Sequence, residues 1–463
     1  MSQPPPSVDT ALAQALADHR AGRADAAEKS YHALLEANPR HAGVHHHLGV
    51  LLVQTGRLEE GFARLQSAVE LDAAQPLYYF SLAKAHLAAG DPAQAGAALR
   101  QAAQLGVDDK RFDPLKTQIL DAAVTKYRQA LTARPNDPVV LDNLGTALLE
   151  QGHADPAIAC YRQALAQSPD FAPAHFHLGA ALSQHGHVAE GFAHYMRHAR
   201  LVHTGTPPEV SGPPHKIKHD LAQQEYLWGV DQDVPATLQI ADGERIAGPA
   251  LNPAAPQVLD TWHNSHPQMV VIDSFLTAPA LEKLRLYCAG STVWRKIYPA
   301  GYLGAAPEDG FACPLLAQIV EEIQTVFAPI LGGESFRYLG AFKYDSELST
   351  GTNTHADNSM VNVNFYIAPD DANLDPESGG MEIWDVAAPD IQTMRRLNGS
   401  EEMAQAFLQR CGAKRTVIPH RADRAVIFKS TQFHKTDSFR FKPGYLSMRI
   451  NISLLFGQFG PGE

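Results

Sequence analysis

The chain lacks the features that mark secreted and membrane proteins. Its four cysteines lie far apart and form no CxxC pair, so neither a disulfide framework nor a zinc knuckle is indicated. No run of 18 apolar residues occurs, and the N-terminus has no basic segment followed by an apolar one. These absences predict a cytoplasmic protein that has no membrane partner.

Positive charge is also scarce. Against 50 Asp and Glu there are 38 Lys and Arg, which gives a net charge of −12 at pH 7. A surface of this sign repels phosphate, so no nucleic-acid partner is expected. The 463 residues exceed the length of one typical domain, and a 45% hydrophobic fraction is typical of globular proteins. We therefore expect a multidomain protein.

A 34-residue period runs through the first two hundred residues. Turn glycines recur in step with a Leu-Gly or Leu-Ala pair. The glycines are Gly22, Gly56, Gly90, Gly152 and Gly186, and the pairs begin at Leu48, Leu82, Leu144 and Leu178. This pattern resembles tetratricopeptide repeats over residues 7–203, and the resemblance implies an all-α superhelix. Residues 107–137 break the period and are predicted to be a degenerate repeat with a shortened first helix.

The resemblance also implies a groove that binds a protein or peptide. The residue before each Leu-Gly or Leu-Ala pair faces that groove in the family, and here these residues are His47, Ser81, Asn143 and His177. The alternative is that they belong to solvated helix faces. The run His45-His46-His47 is predicted to lie on the surface rather than to bind metal, because adjacent helical residues point in different directions.

Residues 204–267 are predicted to be a linker and an extended segment, because four prolines and two glycines interrupt the period at 203–216. A short helix is expected at about 217–229. Residues 268–463 then change character, with two helices followed by short β segments. The strands are predicted at 338–344, 360–367, 381–386, 414–418, 425–428 and 446–455, which favours a barrel with supporting helices.

Within this region His355-Ala356-Asp357 is followed by His434. Residues two apart in an extended chain point to the same side, so both side chains of the triplet can reach one ion. Two imidazoles and a carboxylate are the ligands that hold non-haem Fe(II) and leave three coordination positions open. His420 is a competing ligand. The identical triplet His153-Ala-Asp155 lies at a repeat turn and is predicted to be structural.

Arg449 lies in a segment that alternates polar and aliphatic residues. Its polar face looks either to solvent or into a cavity, where a guanidinium would hold a carboxylate through two hydrogen bonds. The segment at 361–367 has a similar polar face formed by Asn362, Asn364 and Tyr366. Two such faces flanking the metal segment favour the cavity.

Residues 268–456 resemble a 2-oxoglutarate/Fe(II)-dependent dioxygenase of the prolyl-hydroxylase-like branch. The matching stretches are Tyr344 eleven residues before His355, the triplet itself, 364–368, 377–384, 425–430, 434–436 and 444–449. The resemblance implies a double-stranded β-helix (jelly-roll) domain. It implies that His355, Asp357 and His434 are iron ligands and catalytic residues. Arg449 would bind the co-substrate 2-oxoglutarate, with Arg440 as the alternative, and Tyr344 and Asn364 would line it.

The resemblance further implies Fe(II) and 2-oxoglutarate as cofactor and co-substrate, and it admits ascorbate as an auxiliary reductant. The leading hypothesis is a hydroxylase of a polypeptide that the repeats capture. The alternatives are a small-molecule hydroxylase whose repeats serve docking or dimerisation, and a non-enzymatic adaptor with an inactive barrel. A helical insertion between Trp384 and Lys414 is interpreted either as an ornament or, preferably, as a substrate lid.

Overall fold

A computed structural model describes residues 8–105, 112–203, 210–230, 238–255 and 259–459. The chain divides into two compact units, residues 1–153 and 154–463. No helix in the described ranges is long and apolar enough to cross a membrane.

The first unit consists of helices. They are α1 (Val8–Arg20), α2 (Ala24–Ala37), α3 (Ala42–Gln54), α4 (Leu58–Leu71), α5 (Pro76–Ala88), α6 (Pro92–Gln104), α7 (Phe112–Ala133) and α8 (Pro138–Glu150). The turn glycines have positive φ, for example 84° at Gly56, which favours glycine at these turns. A Cβ on Gly49 would lie 2.8 Å from Leu65 Cγ, so the glycine of the Leu-Gly pair permits close helix packing.

The structure of residues 112–137 differs from the degenerate repeat that was predicted at 107–137. One continuous helix of 22 residues, α7, occupies 112–133, where a shortened first helix and a second one were expected. The sequence between Phe112 and Ala133 has neither glycine nor a helix-breaking proline beyond the first turn, so nothing interrupts the helix. Residues 107–111 of this prediction lie outside the described ranges.

The second unit begins with three more helices of the array and continues into a mixed α and β region. Its helices are α9 (Ala154–Gln167), α10 (Ala172–Gln184), α11 (Val188–Val202), α12 (Pro214–Val230), α13 (Leu259–Trp262), α14 (Ala278–Gly290), α15 (Pro314–Val326), α16 (Ala328–Leu331), α17 (Ile391–Asn398) and α18 (Glu401–Arg410). The helix expected at about 217–229 is α12. Parts of the predicted linker, 204–209, 231–237 and 256–258, lie outside the described residues.

Ten described strands form two antiparallel sheets. They are β1 (Met269–Ile272), β2 (Lys296–Ile297), β3 (Tyr302–Ala305), β4 (Phe336–Tyr344), β5 (Val361–Tyr366), β6 (Met381–Ala387), β7 (Arg415–Ile418), β8 (Ala425–Lys429), β9 (Gln432–Thr436) and β10 (Arg449–Phe456). The large sheet has the order β1-β8-β5-β10-β4-β3-β2, and the small sheet has the order β7-β6-β9. All six strands predicted from the sequence are present, with β10 starting three residues late because Tyr445–Ser447 forms a 3-10 turn.

The two faces of the large sheet have different roles. Alternate residues of β4, β5 and β10, such as Leu339, Phe365 and Ile452, pack into a buried core with α14 and α15. The same core includes Val188 and Phe192 of α11, and the Phe192 ring lies 6.0 Å from that of Phe336. The last helix of the array therefore shares a core with the β region.

Candidate metal centre

His355, Asp357 and His434 come together as predicted. Their ligand atoms all lie within 4.8 Å of one another, and no other group of this kind occurs among the described residues. The distance from Asp357 to His355 Nε2 is 3.8 Å, and to His434 Nε2 it is 3.4 Å. Two backbone hydrogen bonds between His355 and His434, of 2.9 and 2.8 Å, fix the ligand-bearing segments side by side.

The two imidazoles are held in similar ways. His355 Nδ1 lies 2.8 Å from the carbonyl oxygen of Asn353, and His434 Nδ1 lies 2.9 Å from that of Gln432. A carbonyl only accepts, so each Nδ1 carries the proton and each Nε2 offers a lone pair to a metal. Burial, with the neighbouring His434 contributing further, lowers the pKa of His355, which favours this neutral form.

Asp357 supplies the carboxylate. Its backbone N donates to Ser430 O at 2.9 Å, and its Oδ2 accepts a 2.8 Å hydrogen bond from Asn362 Nδ2. Burial acts to raise the pKa of Asp357, but the adjacent imidazoles of His434 and His355 and the hydrogen bond from Asn362 favour the carboxylate, and the pKa falls to about 2. Two neutral imidazoles beside one ionised carboxylate are a donor set that fits a divalent iron ion.

The third ligand reaches the site differently from the prediction. The sequence placed His434 at the end of the strand that contains 425–428. In the structure the chain turns after β8, and His434 lies inside β9, paired with Ile383 of β6 in the small sheet. His355 and Asp357 lie in the loop that precedes β5, so the candidate ligands come from this loop and from a strand of the small sheet.

The polar strand faces line a cavity rather than facing solvent. The cavity has a volume of about 700 Å³ and contains the three candidate ligands together with Asn364, Tyr344 and Arg449. Register explains the convergence, because Arg449 pairs with Tyr344 and Ser453 pairs with Asn364 across neighbouring strands. The predicted co-substrate residues and the predicted metal ligands therefore share one space.

Arg449 is 2% exposed and belongs to the polar floor of this cavity. Its Nε and Nη2 donate to the carbonyl oxygens of Gly379 and Gly380 at 2.7 and 2.9 Å, and its Nη1 donates to Asn451 Oδ1 at 2.8 Å. The guanidinium also lies 4.7 Å from the centre of the Tyr344 ring. No carboxylate among the described residues lies within 4.0 Å of it, so its buried positive charge suits an anion in the cavity.

Three competing predictions can be placed. Arg440 is exposed and does not line the cavity, whereas Arg449 does. His420 is buried away from the ligand group, where its Nε2 lies 3.2 Å from Ala368 O. His153 and Asp155 of the duplicate triplet are both exposed, at the turn before α9 and in its first turn.

The insertion at 385–413 contacts the metal-binding loop, a feature that the sequence did not reveal. Asn398 Oδ1 accepts from Ala356 N at 3.0 Å, and Asn398 Nδ2 donates to Ala356 O at 2.8 Å. Glu401 accepts from Thr354 N at 2.6 Å and from Thr354 Oγ1 at 2.9 Å. These four bonds, which we call the loop clamp, grip the residues on both sides of His355.

Apolar contacts also connect the insertion to the segments that carry the candidate ligands. Met394, Leu397 and Leu408 of the insertion form one cluster with Ala356 and Phe433. Ala356 separates two candidate ligands, and Phe433 directly precedes the third. The insertion therefore supports all three candidate ligands through their chain neighbours, and its interpretation as a substrate lid rather than an ornament stays a prediction.

The four residues predicted to face the repeat groove are half-buried rather than solvated. Two of them contact side chains of neighbouring helices. His47 stacks on Tyr31 with ring centres 6.3 Å apart, and Ser81 Oγ lies 2.8 Å from His46 Nε2. The prediction that His45 and His46 are surface residues is wrong, since they are 7% and 4% exposed. Burial lowers the pKa of His46 to about 4.

Comparison with protein families bears on the helical region. A tetratricopeptide repeat model matches residues 19–79, and a second TPR repeat model matches residues 145–186. The chain contains tetratricopeptide repeats. Both matched ranges precede the candidate metal centre in sequence and do not test it.

Similar solved structures are distant. The MamA protein is 18% identical over 42% of this chain and 91% of its own, with a TM-score of 0.21. The TPR2AB domain of yeast Sti1, solved as a pHSP90 complex, is 14% identical over 42% and 90%, with a TM-score of 0.23. The Yersinia enterocolitica chaperone SycD, solved with a YopD peptide, is 20% identical over 25% and 88%, with a TM-score of 0.23. These likenesses are too weak to add to the family models. No curated protein matches the chain.

Proposed function

We propose that the chain is a 2-oxoglutarate- and Fe(II)-dependent dioxygenase that hydroxylates a polypeptide. One observation carries the proposal, namely that a two-histidine, one-carboxylate group lines the same cavity as a buried arginine that has no carboxylate partner among the described residues. An ion at the first and a carboxylate at the second would place the co-substrate against the metal. Two antiparallel sheets that enclose this cavity support the jelly-roll fold for residues 268–463.

In this proposal each group of residues in the cavity has its own role. His355, Asp357 and His434 would hold Fe(II), which when bound supplies the oxidation of 2-oxoglutarate and substrate by O₂ to succinate, CO₂ and an alcohol. Arg449 would orient the distal carboxylate of 2-oxoglutarate, beside Tyr344 and Asn364. The buried aromatic wall of Tyr302, Tyr344 and Tyr366 would exclude water, with ascorbate as an optional reductant in solution.

The repeats support a protein or peptide as the substrate. Tetratricopeptide arrays present extended surfaces along stacked helices, and such surfaces suit a polypeptide chain.

A cytoplasmic location, where cysteines stay reduced, agrees with the four free thiols.

The proposal is tested with the purified full chain, Fe(II) and 2-oxoglutarate, by measuring succinate with and without candidate protein substrates. Asp357→Ala should abolish succinate formation. Asp155→Ala is the matched control, because it changes the exposed aspartate of an identical triplet, and it should leave turnover unchanged. Absence of succinate from metal-loaded wild type under every condition would favour the adaptor.

Substrate capture by the repeats requires a truncation that spares the β region. Removal of residues 1–203 would delete Phe192, which is 1% exposed in the core shared with β4. A chain of residues 154–463 keeps that helix and removes the first compact unit. Turnover of a protein substrate should fall in this truncation while succinate formed without substrate persists. Equal turnover of the protein substrate would favour a small-molecule hydroxylase.

A further inference from the structure

A second cavity lies behind the large sheet, on the face opposite the candidate metal centre. It has a volume of about 200 Å³. Its wall is mainly apolar and includes Ile367, Met448 and Ile450, each next in sequence to a residue that lines the first cavity. Leu286 and Leu446 also line it and are 55% and 58% exposed, so they mark its opening. Adjacent residues of a strand point to opposite faces, so the two cavities are separate.

Two basic side chains line this second cavity, and no acidic side chain is among the described residues of its wall. Lys343 is 3% exposed, and its Nζ lies 3.4 Å from the centre of the Tyr445 ring and 5.3 Å from that of Trp294. Arg285 is half-buried and donates from Nε to Ile367 O at 2.5 Å. Within the described ranges, neither has a carboxylate within 4.0 Å.

The effect of burial on the two basic side chains indicates which ligand the cavity suits. Burial lowers the pKa of Lys343 well below its ordinary value and also lowers the pKa of Arg285. Burial thus disfavours the charged form of Lys343, which has no carboxylate within 4.0 Å among the described residues, whereas Asp423, Asp370 and Asp371 act electrostatically on Arg285. An anion would supply the missing charge. The hydroxyl of Tyr445 is already engaged, since it accepts from Gln223 and donates to Ala289 O, both at 2.8 Å.

We propose that this cavity binds a small carboxylate with an apolar body, recognised by Lys343 and Arg285. Apolar walls with a few placed polar groups are the usual composition of a small-molecule site. A volume of about 200 Å³ restricts the ligand to a small molecule such as a short-chain or aromatic acid. The inference is independent of the proposed oxygenase function, since none of these residues belongs to that site.

Methyl NMR on the full chain tests the proposal, with benzoate as the probe and benzyl alcohol as its uncharged counterpart. The methyl groups of Met448 and Ile450 report on this cavity, and that of Met381 reports separately on the candidate metal centre. Benzoate should shift Met448 and Ile450 saturably, and benzyl alcohol should bind at least about tenfold more weakly, as expected for loss of a charged hydrogen bond. No saturable shift at these two methyl groups, or equal affinity for the alcohol, overturns the proposal.

Variants localise the effect. Lys343→Met keeps the length of the side chain and should weaken benzoate binding by about tenfold or more. The exposed Lys414→Met is the matched control and should bind as wild type does. If Lys343→Met does not fold, Arg285→Gln carries the same expectation. Unchanged affinity in the folded variants refutes the assignment of these residues.

Discussion

Asn398→Ala is expected to weaken metal binding although Asn398 is not one of the three candidate ligands. The substitution removes two hydrogen bonds, of 3.0 and 2.8 Å, to the backbone of Ala356. Ala356 is 1% exposed, so its N–H and C=O lose partners that water replaces only in part. At about 1 kcal/mol for each bond, the free energy that holds the loop in its ordered conformation falls by roughly 2 kcal/mol.

That loss becomes a binding effect because His355 and Asp357 flank Ala356. If the loop must be re-ordered for ligation, about 2 kcal/mol corresponds to roughly 30-fold weaker binding, within the 10- to 100-fold range typical of groups that orient metal ligands. Anaerobic calorimetric titration with Fe(II) measures it directly. Arg395→Ala, an exposed position on the same helix, is the control and should bind as wild type does. Affinity of Asn398→Ala within twofold of wild type would refute the loop clamp.

Three further outcomes are expected. Arg449→Gln should raise the KM for 2-oxoglutarate by about 10- to 100-fold, because a charged hydrogen-bond pair is lost. Arg440→Gln, at an exposed position, is the control and should leave the KM unchanged. Equal KM values for the two variants would contradict the anion site. Burial raises the pKa of Asp423 from 3.8 to about 7, so its contribution to stability is full below pH 3.8 and is lost as pH rises through 7. Asp423→Asn should therefore flatten the fall in denaturation midpoint between about pH 4 and pH 7, and an unchanged slope would assign that fall to other groups. Phe192→Ala should destabilise the second unit by about 3–5 kcal/mol, measured by chemical unfolding of the 154–463 chain, and a loss below about 1 kcal/mol would mean that α11 is peripheral to the core.

The pair of His-Ala-Asp triplets shows what sequence patterns predict well. Alternating polarity placed Asn364 and Arg449 on polar strand faces, and the register between β5 and β10 puts both faces on the side of the sheet that lines the cavity. The triplet at 355–357 was distinguished from the one at 153–155 by its β context together with the later His434 and with Arg449 on a polar strand face. Strand bounds followed with small errors for the same reason.

Burial of the repeat histidines was not predictable in that way. The prediction that His45 and His46 lie on the surface rested on adjacent helical residues pointing in different directions. Helix α3 instead packs against α4 of its own repeat and also against α2 and α5, so it is covered on several sides. The number of neighbours depends on stacking between repeats, which the period of a single helix does not encode.

The insertion illustrates a different obstacle. Its helices start at ordinary capping residues, Asp390 and Ser400, so their existence was predictable from local sequence. Their purpose was not, because Asn398 binds backbone atoms of Ala356, 42 residues away, and any residue type offers the same N–H and C=O. Only the folded structure shows which backbone groups a distant side chain satisfies. An insertion that holds a ligand loop in this way couples metal affinity to its own packing, so substitutions in the buried face of α18, such as Leu408→Ala, should weaken the metal site without altering any residue that lines it.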